Sequence, residues 1–138
     1  EPICLAAGIF MDFCAVSQRE KSNAEALVEA ALSISNALLE QNCRHFIVWY
    51  DLEGRHLCKQ RISKIEDIYE VTGYLMSAAC YDENMDLKAM YKEAFPYGLY
   101  AADITLRLSG DIFAADEPAG HFDEKDMEAS MAKCMIRV

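Results

Sequence analysis

The sequence predicts a three-layer α/β domain whose central sheet is mostly parallel and carries one antiparallel edge strand. Three observations lead there. An uncharged run from Ile3 to Met11 ends at Asp12, and a continuous apolar run reads as a strand covered on both faces. Strand patterns alternate with helical patterns of about 10–18 residues, which favours parallel pairing through right-handed crossovers. A tight turn at Leu52-Glu53-Gly54 folds two strands into a hairpin and supplies the antiparallel edge.

The elements follow in order. Ser22-Asn-Ala-Glu25 has the form of a capping box, with serine and glutamate each satisfying an orphan backbone donor. The helix behind it extends to about Gln41, with an apolar stripe of Ala24, Leu27, Val28, Ala31, Leu32, Ser35, Leu38 and Leu39. His45 to Asp51 forms the next strand and Arg55 to Ile62 returns beside it. On the returning strand Arg55, Leu57, Lys59 and Arg61 fall on one side, and His56, Cys58, Gln60 and Ile62 on the other. Its basic residues read as a guard on an exposed sheet edge.

Ser63-Lys-Ile-Glu66 has the form of a second capping box and opens a helix to about Cys80. That helix has a stripe of Ile65, Ile68, Tyr69, Thr72, Leu75, Met76 and Ala79. A shorter helix spans Asp86 to Phe95 and is stopped by Pro96 and Gly98. Asp103 to Leu108 and Ile112 to Ala115 form a second hairpin, Asp123 caps a final helix, and Cys134 to Val138 ends the chain as a strand.

At 138 residues the chain fits one domain, residues 1–138, able to bury about 68% of its unfolded surface. Its net charge of −10 repels phosphate backbones and anionic lipid, so nucleic acid and membrane surfaces are not expected partners. No apolar run reaches the ~18 residues that span a bilayer. Because the chain begins at Glu1, without a basic segment leading into an apolar one, it reads as a piece of a longer protein. A membrane anchor is allowed elsewhere in that parent, with this segment on the cytoplasmic side.

Six cysteines, at 4, 14, 43, 58, 80 and 134, form no C-x-x-C pair. They read as small buried hydrophobes rather than a disulfide framework or zinc site. His45, His56 and His121 show no spacing that the common zinc motifs use. Cys14 precedes a helix, where a thiol pKa is lowered, but catalysis also needs a base within reach. No phosphate loop, nucleophile elbow or H-E-x-x-H motif occurs. The expectation is that the chain is not an enzyme; a cysteine-dependent enzyme at Cys14 is the weakest alternative.

An apolar strand ending in Asp12, a long amphipathic helix and a hairpin of two strands resemble the von Willebrand factor type A domain, a Rossmann-like architecture. The segment from Asn23 to Leu39 and the segment from Phe46 to Asp51 resemble most the bacterial domain-of-unknown-function family numbered fifty-eight. The resemblance covers roughly the first 95 residues. Members with a working metal-ion-dependent adhesion site carry D-x-S-x-S after the first strand and a threonine in a later loop. Those oxygens suit Mg²⁺ or Ca²⁺.

Here the first motif reads Asp12-Phe13-Cys14-Ala15-Val16, with Ser17 one position late, and the later loop reads Glu83-Asn84-Met85-Asp86-Leu87. A thiol is a poor Mg²⁺ ligand and valine or methionine offers no oxygen. The resemblance thus implies a degenerate site, with Asp12, Ser17 and Asp86 the weak metal candidates and Mg²⁺ the ion. Asp86 also reads as an acidic residue favoured by the dipole of a helix's first turn. The expected function is a non-catalytic protein-interaction module, with Asp12, Cys14, Ser17, Asp51 and Asp86 as its face. The family implies a MoxR-type AAA ATPase as partner. The alternative is a divalent-metal-dependent ligand-binding or adhesion domain.

Overall fold

A computed structural model describes residues 5–122. The expected final helix at Asp123, the expected strand at Cys134, and Cys4 and Cys134 themselves lie outside the described residues. Ten elements run in the order β1 (Leu5–Asp12), α1 (Gln18–Ser22), α2 (Ala24–Glu40), β2 (His45–Asp51), β3 (His56–Ile62), α3 (Ile65–Met76), α4 (Leu87–Ala94), β4 (Tyr100–Arg107), β5 (Asp111–Ala114) and β6 (Glu117–His121).

All six strands join one sheet in the order β3-β2-β1-β4-β5-β6. β1 lies parallel to both β2 and β4, while β2 with β3, β4 with β5 and β5 with β6 are antiparallel. The α/β class holds, but the sheet is mixed rather than mostly parallel. Connection length explains the difference. A parallel partner needs a crossover of a dozen or more residues, and β4, β5 and β6 follow one another through tight turns. The second turn places Ala115 (φ 52°) and Asp116 (φ 65°) in the left-handed region, the type I′ geometry whose twist suits a two-residue hairpin. β6, Glu117-Pro-Ala-Gly-His121, was not expected from a sequence that carries Pro118 and Gly120, residues depleted in strands.

The uncharged first strand is buried on both sides. Ala7, Ile9 and Met11 join a core under α2 and α3, together with Ile47, Trp49, Ile104 and Leu106. Phe10 points the other way and packs with Phe46, Val48, Leu87 and Tyr91 beneath α4. On that second face Tyr91 stacks on Phe46 with centroids 5.0 Å apart, and Phe10 meets both rings edge-on. Lys59 does more than guard the edge. Its Nζ sits 4.7 Å from the Phe46 centroid and 5.0 Å from those of Tyr91 and Phe95, and donates to the Tyr91 hydroxyl at 2.8 Å. A cation over ring faces contributes about 0.5–2 kcal/mol.

Two helix starts differ from expectation. Ser22 ends α1 instead of capping α2. The break at Asn23 is held by its side-chain Nδ2, which donates to the Leu108 carbonyl at 2.9 Å. At α3 it is Asp67, not Glu66, that reaches back, accepting from the Ser63 and Lys64 backbone N–H groups at 2.9 and 3.2 Å. The buried stripe of α3 is Ile68, Val71 and Leu75, whereas Tyr69 is 71% exposed. Among the described residues no helix is long and apolar enough to cross a membrane.

His45 opens β2 fully buried. Its Nδ1–H donates to the Cys43 carbonyl at 3.0 Å and its Nε2 accepts from the Ser35 hydroxyl at 2.6 Å, so both ring nitrogens are satisfied by the neutral form. Burial pushes its pKa below the ordinary value, against the Cys43 bond, which raises it.

Two tests follow from this packing. A Cβ at Gly8 would lie 2.6 Å from Phe46 Cζ and 2.8 Å from its Cε2, so Gly8→Ala is expected to lose about 1–3 kcal/mol in urea unfolding. An unchanged midpoint would show that the aromatic face yields freely. Because the folded His45 pKa is depressed, the unfolded chain binds the extra proton. Stability therefore falls as pH drops below about 6.5 and levels off beneath the folded value. His45→Gln should flatten that slope between about pH 7.5 and 5.5; an identical slope in the variant would assign it to other groups.

Candidate functional site

Strand order reverses at β1: the chain moves to one side to form β2 and to the other to form β4. Beyond their carboxyl ends β1 runs on to α1 while β4 turns into β5, and the crevice outside such strand ends is where open α/β sheets bind ligands. Asp12, the last residue of β1, stands there beside Arg107 in the sheet register. It is only 8% exposed. Its Oδ1 accepts from the Cys14 N–H at 3.0 Å and from the Tyr81 hydroxyl at 3.1 Å. The chain past β1 is laced to the same tyrosine, with Ala15 N–H donating to the Tyr81 carbonyl at 2.8 Å and Tyr81 N–H to the Phe13 carbonyl at 3.1 Å.

Tyr81 thus holds the crest by both backbone and side chain. Burial, then the charge of Asp12, pushes its phenol pKa far above the ordinary range. Sequence reasoning did not single out this residue as a partner of Asp12. The only signal was an aromatic group inside an otherwise polar connection.

The remaining expected residues separate. Ser17 is spent on capping α1: its Oγ accepts from Glu20 N–H at 3.2 Å, while Glu20 Oε1 accepts from Val16 N–H at 2.9 Å. Asp86 caps α4, its Oδ1 accepting from Ala89 N–H at 3.1 Å. Asp12 and Asp86 do line one cavity of about 330 Å³, with Thr105, Asp116, Lys88 and Arg107. The two cations oppose a divalent ion there, and Lys88 is already paired with Asp116 at 2.6 Å and Asp103 at 3.4 Å. Asp51 lies away from both, at the end of the β2–β3 hairpin, grouped with His56 and Cys58.

Cys14, Cys43, Cys58 and Cys80 are free and only partly buried, each packed against the edge of the core, where small buried hydrophobes were expected. The Cys14 thiol pKa is raised by burial and then by Asp12, Glu20 and Asp82, against Arg107. No described histidine bonds to it: His45 turns to Ser35 and Cys43, His56 to Cys58 and His121 to Asp111.

On the other side of Tyr81 an open cleft of about 590 Å³ runs between the crest, the hairpin and the segment before α4. Its lining mixes Tyr50, Leu52 and Met85 with Lys21, Arg55, Asp82 and Glu83, and Val16 beside it is 78% exposed. The lining therefore combines both signs of charge with apolar side chains.

The Asp12–Tyr81 bond is open to a double-mutant cycle. Tyr81→Phe and Asp12→Asn are each expected to cost about 1–3 kcal/mol, with a coupling of about 0.5–3 kcal/mol. Strictly additive losses would mean that the hydroxyl and carboxylate act independently.

No family model, no curated protein and no solved structure matches the chain.

Proposed function

We propose that this domain is a non-catalytic protein-interaction module of von Willebrand factor A-like architecture with a degenerate metal-ion-dependent adhesion site. One observation carries the reading. The carboxylate at the switch point is committed inward, to Tyr81 and to the backbone of Cys14, while an open cleft of mixed character lies beside it. Both described hydrogen bonds fall on Oδ1, and on this reading the carboxylate serves to hold the chain that follows β1. The reversal of strand order at β1 and the antiparallel β3 edge are features that the von Willebrand type A resemblance leads one to expect. They support the reading as architecture, which alone does not assign function.

The docking surface is then the cleft, centred on Leu52, Tyr50 and Lys21, rather than the five residues expected from sequence. The resemblance makes a MoxR-type AAA ATPase the first partner to test. The domain would work on the cytoplasmic side of a membrane-anchored parent. A second reading, divalent-metal-dependent ligand binding, draws on the shared cavity of Asp12, Asp86 and Thr105. Arg107 and Lys88 in its wall weigh against it. Calorimetric titration with millimolar Mg²⁺ separates the two, because only the second gives heat.

Charge reversal at Asp12 is a poor probe, since it unseats Tyr81. Leu52→Asp and Lys21→Glu instead alter the cleft without breaking a described hydrogen bond. Each should weaken binding to a purified MoxR-type ATPase at least tenfold, or about 1.4 kcal/mol, in biolayer interferometry. Wild-type affinity in both variants would remove the cleft from the interface.

A further inference from the structure

Strand geometry sets residues 56 and 58 on one face of β3, and the antiparallel register places Asp51 directly across from His56. An imidazole, a thiol and a carboxylate therefore share one patch near the hairpin end. One donor atom from each lies within 4.8 Å of the other two, and among the described residues no other three metal-binding side chains gather so closely. Cys58 Sγ stands 3.5 Å from His56 Nε2. Two ligands on a tetrahedral zinc, at about 2.3 Å for sulfur and about 2.1 Å for nitrogen, are about 3.6 Å apart. The pair is thus spaced as neighbouring ligands before any ion is present.

The turn is built around the same residues. A Cβ on Gly54 would come 2.6 Å from His56 Nδ1 and 2.8 Å from Asp51 Oδ2. Only glycine lets the imidazole and the carboxylate lean together over the chain there. His-x-Cys on a strand is outside the helical and C-x-x-C spacings by which zinc sites are read from sequence, and the third ligand comes from across the hairpin.

We infer that Asp51, His56 and Cys58 form a binding site for a divalent ion of the zinc class, with a fourth position open to water or to a donor from a bound molecule. Thiolate and imidazole select zinc or cobalt over Mg²⁺ and Ca²⁺, which prefer oxygen. A purely structural zinc site closes with four protein ligands. Three ligands at a hairpin end with an exposed imidazole make an exchangeable site. The ion would tie β2 to β3 next to Tyr50, Leu52 and Arg55, which form one wall of the cleft. This inference stands whether or not the cleft takes an ATPase. The competing account of the 3.5 Å contact is a plain thiol–imidazole hydrogen bond with no affinity for metal.

Titration of the full chain with Co²⁺ under reducing, anaerobic conditions tells these apart. The site predicts saturation near one ion per chain and a thiolate-to-cobalt charge-transfer band in the near ultraviolet, displaced by Zn²⁺. Cys58→Ser should abolish the band, and Cys14→Ser and Cys80→Ser should leave it. His56→Ala and Asp51→Asn should each weaken cobalt binding at least tenfold, with circular dichroism unchanged. His56 is exposed, so its variant reports on the site even if Cys58→Ser fails to fold. No band in the wild type, a band that survives Cys58→Ser, or undiminished affinity in His56→Ala would overturn the assignment.

Discussion

Burial of β1 on both faces sets the terms for everything around it. A strand with parallel neighbours on either side has no free edge, so each of its side chains must find a partner above or below the sheet. Ile9 and Met11 join the core shared with α2 and α3 on one face, and Phe10 meets α4's Tyr91 on the other. Helices are thereby needed on both sides. The crevice at Asp12 lies where β1 and β4 end side by side, β1 running on to α1 and β4 turning into β5.

Crevices of this kind are costly to leave lined by an unpaired charge, because a buried carboxylate without partners loses its hydration. Here the hydroxyl of Tyr81 and the Cys14 amide supply the missing donors. The same tyrosine pairs its backbone with residues 13 and 15, so electrostatic satisfaction and chain path are secured together.

Much of this was readable from residue patterns, and the failures have identifiable causes. The β1 run, the β2–β3 hairpin and the α4 start at Asp86 were visible because apolar continuity, turn residues and helix stop signals agreed there. At α2 two serine–glutamate frames compete, Ser17 with Glu20 and Ser22 with Glu25. A bond from Asn23 to distant Leu108 decides between them, and nothing local reports such a bond. The α3 face was misjudged because Tyr69 and Met76 offer as much apolar surface as Val71, and only the tertiary packing turns the helix. β6 was invisible because Ala115 and Asp116 adopt a left-handed turn without the asparagine or glycine that usually announces one. Asp12 and Asp86, singled out by their motif positions, do share a cavity. Tyr81, and the grouping of Asp51 with His56 and Cys58, were missed because an isolated bridge to Cys14 and the β2–β3 register bring these residues together.

Gly8 and Phe46 illustrate how closely two distant positions are bound. The ring of Phe46 occupies the volume that any side chain at position 8 would need, and it is wedged there by Phe10, Tyr91 and Tyr100. Bulk at the two positions is consequently a single shared quantity. Over long divergence neither can grow unless the other shrinks, so substitutions accepted at this pair should travel as compensated couples rather than one at a time.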